Sequence, residues 1–216
     1  MKGAVVNRKT ISRPRVVWLL VPVILSLSCG ITPLSTSEVN LARYVPKERI
    51  PLSVGLCIDE GITNLYKDSP QRDLMYIRGK TLTALIEQAS AKTFKKQTLV
   101  SGKETPQELS AMNIDVVVSV KLIAIIGVGA AEPVRFGHVG DTYVTMRWDI
   151  TSLDGKPVYF CQVVGQGKKM THLGYSAKER RQTYIDALRD HFQKAHKEIV
   201  SSVWWKDQSW REKKKS

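Results

Sequence analysis

The run from Asp115 to Ile126 constrains this chain most. Val116-Val117-Val118-Ser119-Val120 and Leu122-Ile123-Ala124-Ile125-Ile126 form a nearly continuous apolar, largely β-branched stretch. Such residues favour a strand, and an unbroken apolar run implies cover on much of both faces. The rest of the chain must therefore build a sheet around this segment, with apolar helices available to lie on it.

The flanking segments supply those pieces. Leu52-Ser53-Val54-Gly55-Leu56-Cys57-Ile58 alternates large apolar and small residues and reads as a strand closed by Asp59-Glu60-Gly61. Asp73 caps an expected helix reaching about Phe94, with Leu74, Ile77, Thr81, Leu85 and Ala89 on one stripe and Met75, Leu82 and Ile86 widening it. Gly79 weakens that helix locally and lets it approach another backbone. Thr98-Leu99-Val100 is a short strand, and Thr105-Pro106-Gln107-Glu108 opens a helical turn with threonine as cap. Tyr143–Ile150 alternates again, Asp154-Gly155 signals a hairpin, and Pro157–Val164 returns, ended by Gly165-Gln166-Gly167. Ser176-Ala177-Lys178-Glu179 is a capping box. It begins a long helix carrying Tyr184, Leu188, Phe192, Ala195, Ile199 and Val203 at helical spacing, with Arg180, Arg181, Arg189, Lys194 and Lys197 mostly on its outer faces. The expected fold is α+β: a mixed, mainly antiparallel sheet of about five strands with two long helices on one face.

The N-terminus follows a different rule. Lys2, Arg8, Lys9, Arg13 and Arg15 precede the apolar run Val16–Leu25, and Ser26-Leu27-Ser28 places small residues before Cys29. Charge, apolar core and small residues in that order make Met1–Ser28 a secretory signal. The core is shorter than the roughly 20 residues a bilayer span needs, and Pro22 interrupts it. Leu25-Ser26-Leu27-Ser28-Cys29 resembles the lipobox of bacterial lipoproteins, departing at Ser26, where leucine is usual. The resemblance implies cleavage before Cys29, acylation of its thiol and new amine (palmitate among the chains), and a membrane anchor. Gly30, a residue other than aspartate, implies the outer membrane, facing the periplasm. Gly30–Ile50 is polar and aperiodic, so residues 29–50 read as lipidated cysteine and flexible tether, 51–203 as one domain and 204–216 as a Trp/Lys-rich tail.

Removing the 28 signal residues from 216 leaves 188 and, with five basic residues gone, lowers the formal charge from +13 to +8. That length suits one domain with its own core. The charge suits anionic head groups, acidic glycans or an acidic protein face. Nucleic acid is not an expected partner for an exported chain. Cys57 and Cys161 remain, both in expected strands. An oxidising compartment permits a disulfide between them, and two separate buried thiols are the simpler reading.

The order of elements also resembles periplasmic lipoprotein domains related to the TolB amino-terminal fold. These include the YajG-like lipoproteins, the penicillin-binding-protein activators and the soluble part of the curli secretion lipoprotein. The likeness covers about Pro51–Ser202 and rests on Asp115-Val116-Val117-Val118, Met146-Arg147-Trp148-Asp149-Ile150 and Asp154-Gly155-Lys156. It implies protein binding without shared chemistry. Gly127–Asp141 is too short and glycine-rich for the membrane hairpin of the secretion protein.

Searching the residues for chemistry gives little. The four histidines form no zinc motif, neither remaining cysteine has a CxxC partner, and no nucleophile elbow or phosphate loop is present. No catalytic residue, metal or cofactor is expected. Asp59 and Glu60 are the carboxylates a hydrolase reading would use, against an ordinary strand-end role. Two stretches suit binding instead. In the loop Ala131–Asp141, Arg135, Phe136 and His138 place an aromatic among basic groups, open to a partner groove. In the tail, Trp204, Trp205 and Trp210 with Lys213, Lys214 and Lys215 suit an anionic interface, or else the first two tryptophans pack under the sheet edge. The expected function is a non-catalytic envelope accessory or scaffold binding another envelope protein. The alternatives are an auxiliary of lipid transport or a glycan or peptide hydrolase.

Overall fold

The computed structural model describes residues 33–41, 48–65, 76–128, 138–171 and 176–207. Two parallel and two antiparallel pairings make one five-stranded sheet. Strand β1 (Ile50–Ile58) runs parallel to β2 (Phe94–Leu99) on one side and to β3 (Val116–Val128) on the other. From β3 the chain turns back twice, through β4 (His138–Thr151) and β5 (Pro157–Thr171), as an antiparallel meander. The order is β2-β1-β3-β4-β5, so the β-branched run is the central strand. The α+β expectation is met.

Short helices α1 (Thr36–Val39), α2 (Glu60–Thr63) and α4 (Pro106–Ala111) punctuate the chain, and two long ones, α3 (Gly79–Thr93) and α5 (Ala177–Ser201), cover one sheet face. Their stripes meet alternate strand residues. Leu82, Leu85 and Ile86 of α3 and Leu188, Phe192, Ala195 and Ile199 of α5 are buried with Leu52, Val54, Leu56, Val116, Val118, Val120, Met146, Trp148 and Ile150. Burying each large apolar side chain is worth about 1.5–3 kcal/mol, so this layer dominates stability. Buried side-chain hydrogen bonds help fix the layer, among them Thr142 with Thr183 at 2.8 Å and Thr93 with Nδ1 of His196 at 3.0 Å.

The connection from β2 to β3 passes over the other face. Gly55 points away from Val54 and Leu56, and a Cβ there would lie 3.3 Å from both Val100 and Ile114. Residues 100–114, with α4 among them, thus cover β1 from behind. Thr105 caps α4 and Glu108 reaches back to its backbone N–H at 2.7 Å, as the sequence signature demands.

Three expectations need correction. The glycines at 165 and 167 do not end the last strand, which continues to Thr171. A Cβ at Gly165 would collide with the Ala187 carbonyl and lie 2.5 Å from the His191 nitrogen; one at Gly167 would collide with the Thr183 carbonyl. Their role is to let α5 lie directly on the strand backbone. The first long helix starts at Gly79, behind Arg78, rather than at Asp73, which lies outside the described residues with Leu74 and Met75. There a Cβ would collide with the Ile62 and Thr63 carbonyls, so the anticipated close approach is real.

The third correction concerns the tether. Residues 33–41 are folded against the domain, with Leu34, Val39 and Leu41 buried. Three scattered apolar residues gave no period in the sequence, yet each finds the core edge. The signal Met1–Ser28 and Cys29 lie outside the described residues.

Candidate interaction surfaces

Among the described residues, α4 and its flanks lie over β1, and none covers the back face of β3, β4 and β5. Alternation decides what stands there. On β5 the outward residues are Phe160, Gln162, Val164, Gln166 and Lys168; on β4 they are Tyr143, Thr145, Arg147 and Asp149. On β3 a bulge between Leu122 and Ala124 leaves Ile123 as the extra residue and places Ile126 opposite Tyr143. Phe160, Ile123, Ile126 and Val164 are 62, 52, 53 and 46% exposed, unusual for side chains that would otherwise seek a core. The Arg147 guanidinium lies 5.0 Å from the Phe160 ring centre and its Nε donates to Asp149 at 2.6 Å. An aromatic ring under a paired cation is held in one orientation while its outer face stays open.

The outer edge of β5 is treated differently. Asp190 accepts the Gln166 backbone N–H at 2.8 Å, and Lys194 donates to the Val164 carbonyl at 3.4 Å and to Asp190 at 2.6 Å. Side chains from α5 thereby occupy strand positions that a passing strand would otherwise use.

A second surface lies where the N-terminal segment meets α5. Arg181 donates from Nε and Nη2 to the two Glu38 oxygens at 2.9 and 2.7 Å, and from Nη2 to the Pro33 carbonyl at 3.1 Å. Arg189 donates to the carbonyls of Val39 at 2.5 Å and Glu38 at 2.8 Å, satisfying the C-terminal end of α1. The Leu34 N–H reaches the Tyr76 carbonyl at 2.8 Å and Thr81 reaches the Leu34 carbonyl at 2.9 Å. The Ser35 backbone N–H first, and the Arg181 guanidinium after it, hold the Glu38 carboxyl below its usual range against the opposing effect of burial. These two arginines are spaced by eight, which stacks them on one helix face. They are not merely solvated, as the outer-face reading supposed.

The residues singled out in the sequence distribute as follows. Arg135 and Phe136 lie outside the described residues. His138 opens β4 opposite Thr171, so the expected loop Ala131–Asp141 is shortened by strand pairing from residue 138 onward. Trp204 is buried and stacks on Tyr159 with 6.3 Å between ring centres, while Trp205 donates to the Val200 carbonyl at 3.2 Å and carries Lys206 over its ring. The first two tail tryptophans therefore pack on the domain; Trp210, Lys213, Lys214 and Lys215 lie outside the described residues.

Cys57 and Cys161 are both free thiols, so the disulfide is not formed. They stand on β1 and β5, with β3 and β4 between, about 14 Å apart by strand spacing and far beyond bonding range. They also point to opposite faces. Burial pushes the Cys161 thiol up to about 12 and raises that of Cys57. Asp59 caps α2 by accepting the Gly61 N–H at 2.7 Å, and Glu60 stands in that helix's first turn, the strand-end role. His191 is enclosed in the core, where Trp148 donates to its Nε2 at 3.4 Å, and burial drives its pKa down to about 4. Among the described residues no three His, Cys, Asp or Glu side chains converge as metal ligands, and no helix is long and apolar enough to cross a membrane.

The bare face and the arginine clasp were both missed in the sequence. The alternation on β5 was present from Phe160 to Val164, but alternation does not tell which side is left uncovered.

No family model and no protein of curated function matches the chain. Among solved structures it is similar to a minor lipoprotein from Acinetobacter baumannii, at 7% identity over 72% of this chain and 95% of that one, with a TM-score of 0.40. A neuraminyllactose-binding hemagglutinin homolog from Helicobacter pylori gives 12%, 74%, 96% and 0.46 in the same terms. Lipoprotein GNA1162 from Neisseria meningitidis gives 10%, 71%, 98% and 0.28. Likenesses at these identities and TM-scores assign neither family nor activity.

Proposed function

We propose that this chain is a lipid-anchored envelope protein that acts without catalysis, as an accessory or scaffold holding another envelope protein against the bare face of β3–β5. Cleavage before Cys29 and acylation of that residue supply the anchor, in the outer membrane with the domain facing the periplasm. The observation that carries the binding reading is the exposed apolar set Phe160, Val164, Ile123 and Ile126, ordered by Arg147. A monomer gains nothing from holding an aromatic ring in one pose toward water, whereas a partner pocket does.

The test is a photo-crosslinking residue placed at Phe160 in the native envelope, with the same residue at Lys103 as control. A discrete adduct at 160 and none at 103 is the expected result. Equal, diffuse labelling at both positions would reject the bare face as an interface. Intact-mass measurement of the mature chain reads the anchor separately: it should begin at Cys29 and carry acyl mass.

A further inference from the structure

We infer that the end of the domain where the N-terminal segment is clasped lies directly on an anionic lipid surface, with Lys168, Lys169, Lys178 and Arg180 among the head groups. This rests on the reading that Cys29 carries the anchor.

The argument begins with chain length. Only Gly30, Ile31 and Thr32 separate Cys29 from Pro33. Four residue steps reach about 14 Å at full extension. A tether running to Ile50 would have let the domain roam. The clasp removes that freedom, since the Pro33 carbonyl is bonded to Arg181 near the start of α5, and Glu38 and Val39 are held by Arg181 and Arg189. Whatever surface holds Cys29 is therefore within about 14 Å of Pro33 and hence close to the start of α5.

That end is basic. Lys178 and Arg180 are exposed in the first turn of α5. Lys168 and Lys169 are exposed on β5, brought alongside by the contact of Gly167 with Thr183. Lys169 is near enough to Glu179 to lower its pKa, behind the larger effect of the Ser176 backbone and hydroxyl. Among the described acidic groups at this end, Glu38 is engaged by Arg181, and Glu179 by the Ser176 N–H at 2.9 Å and hydroxyl at 2.8 Å; Asp141 stands opposite Lys168 in the β4–β5 register. Surface charge decays by a factor of about e every 8–10 Å at ordinary ionic strength, so even at the full reach of about 14 Å the field is weakened and not abolished, and any slack in the three linking residues brings the domain closer. The opposite end is built for something else. Helix α5 is about 37 Å long, and at its far end Trp204 is stacked on Tyr159. The tail tryptophans, which the sequence offers either as a lipid contact or as packed under the sheet edge, begin at that far end.

Lysine footprinting of the mature chain tests this. The chain is reconstituted in phosphatidylethanolamine–phosphatidylglycerol vesicles, in phosphatidylcholine vesicles and in neutral detergent, then acetylated and read by peptide mass. Lys168, Lys169 and Lys178 should react roughly fivefold more slowly in the anionic vesicles than in detergent. Lys96 and Lys206, at the far end, should not change. Protection of equal size in phosphatidylcholine would overturn the anionic contact. Unchanged rates in every medium, on a chain whose mass shows acylated Cys29, would overturn the lipid contact and leave the anchor standing. A mature chain without acyl mass would fail the anchor itself, and the inference with it. The doubly reversed variant K168E/K178E, checked for native circular dichroism, should lose protection at Lys169; retained protection there would count against the charge argument.

Discussion

Strand β5 presents two sets of side chains that differ in kind although they alternate along one segment. Inward stand Cys161 and Val163 and then Gly165 and Gly167, a taper to bare backbone where α5 touches the strand. Outward stand Phe160, Gln162, Val164 and Gln166, with no such taper and, among the described residues, no covering layer. The inward set is dictated by the shape of a helix already in place. The outward set is free of that demand, so its content reflects what the protein meets. The same contrast separates substitutions that break the fold from those that should touch only function.

The largest effect is expected on the inward side. Gly165→Val drives a branched side chain into the Ala187 carbonyl and the His191 backbone. Neither can retreat, so urea denaturation should show a loss of more than about 3 kcal/mol or no folded protein. Gln162→Val, outward and three residues away, should stay within about 0.5 kcal/mol. Similar losses at both would erase the distinction.

The next effect is a pH dependence from the same layer. His191 is neutral in the fold, with a pKa of about 4 against 6.5 when unfolded. Below pH 6.5 the unfolded chain binds more protons, so stability should fall as pH drops from about 6.5 to about 4, then level with respect to this group. The full loss is on the order of 3 kcal/mol. Denaturation midpoints for His191→Gln should lack most of that slope.

A smaller effect belongs to the clasp. Arg189→Ala removes two charged donors from the α1 carbonyls, and bonds of that kind contribute about 1.5–3 kcal/mol where buried, less here because the side chain is part-exposed. Hydrogen exchange should quicken in residues 33–41 while β3 keeps its protection. A smaller effect than at the clasp is predicted for Phe160→Ala. It should stay below about 1 kcal/mol, the scale of an exposed cation–π contact, while crosslinking through neighbouring Gln162 falls several-fold.

Much of the architecture was legible in the sequence for physical reasons. The β-branched run, the Asp154-Gly155 turn, the Thr105 cap and the Ser176 capping box are local signals that act through local backbone chemistry, and each appears where it was read. Gly155 takes the left-handed φ of 79° that its turn requires. What stayed hidden depends on strand order and neighbours. Gly165 and Gly167 look like a break because a glycine needed for close packing is spelled the same as one needed for a bend. Cys57 and Cys161 read more simply as separate thiols, which they are, but only the strand order shows that two strands stand between them. Arg181 and Arg189 looked solvated because their partners are carbonyls and a carboxylate about 140–150 residues earlier. The bare face could not be read at all, since it exists only because α4 stops at β1.

The pair Asp190 and Lys194 on the rim of β5 has one more consequence. Molecules confined to a plane meet far more often than the same number in solution, and always from the side. An open strand rim under such crowding invites one sheet to extend into the next without end. Two side chains filling the Gln166 and Val164 positions block such growth along β5 at its seed.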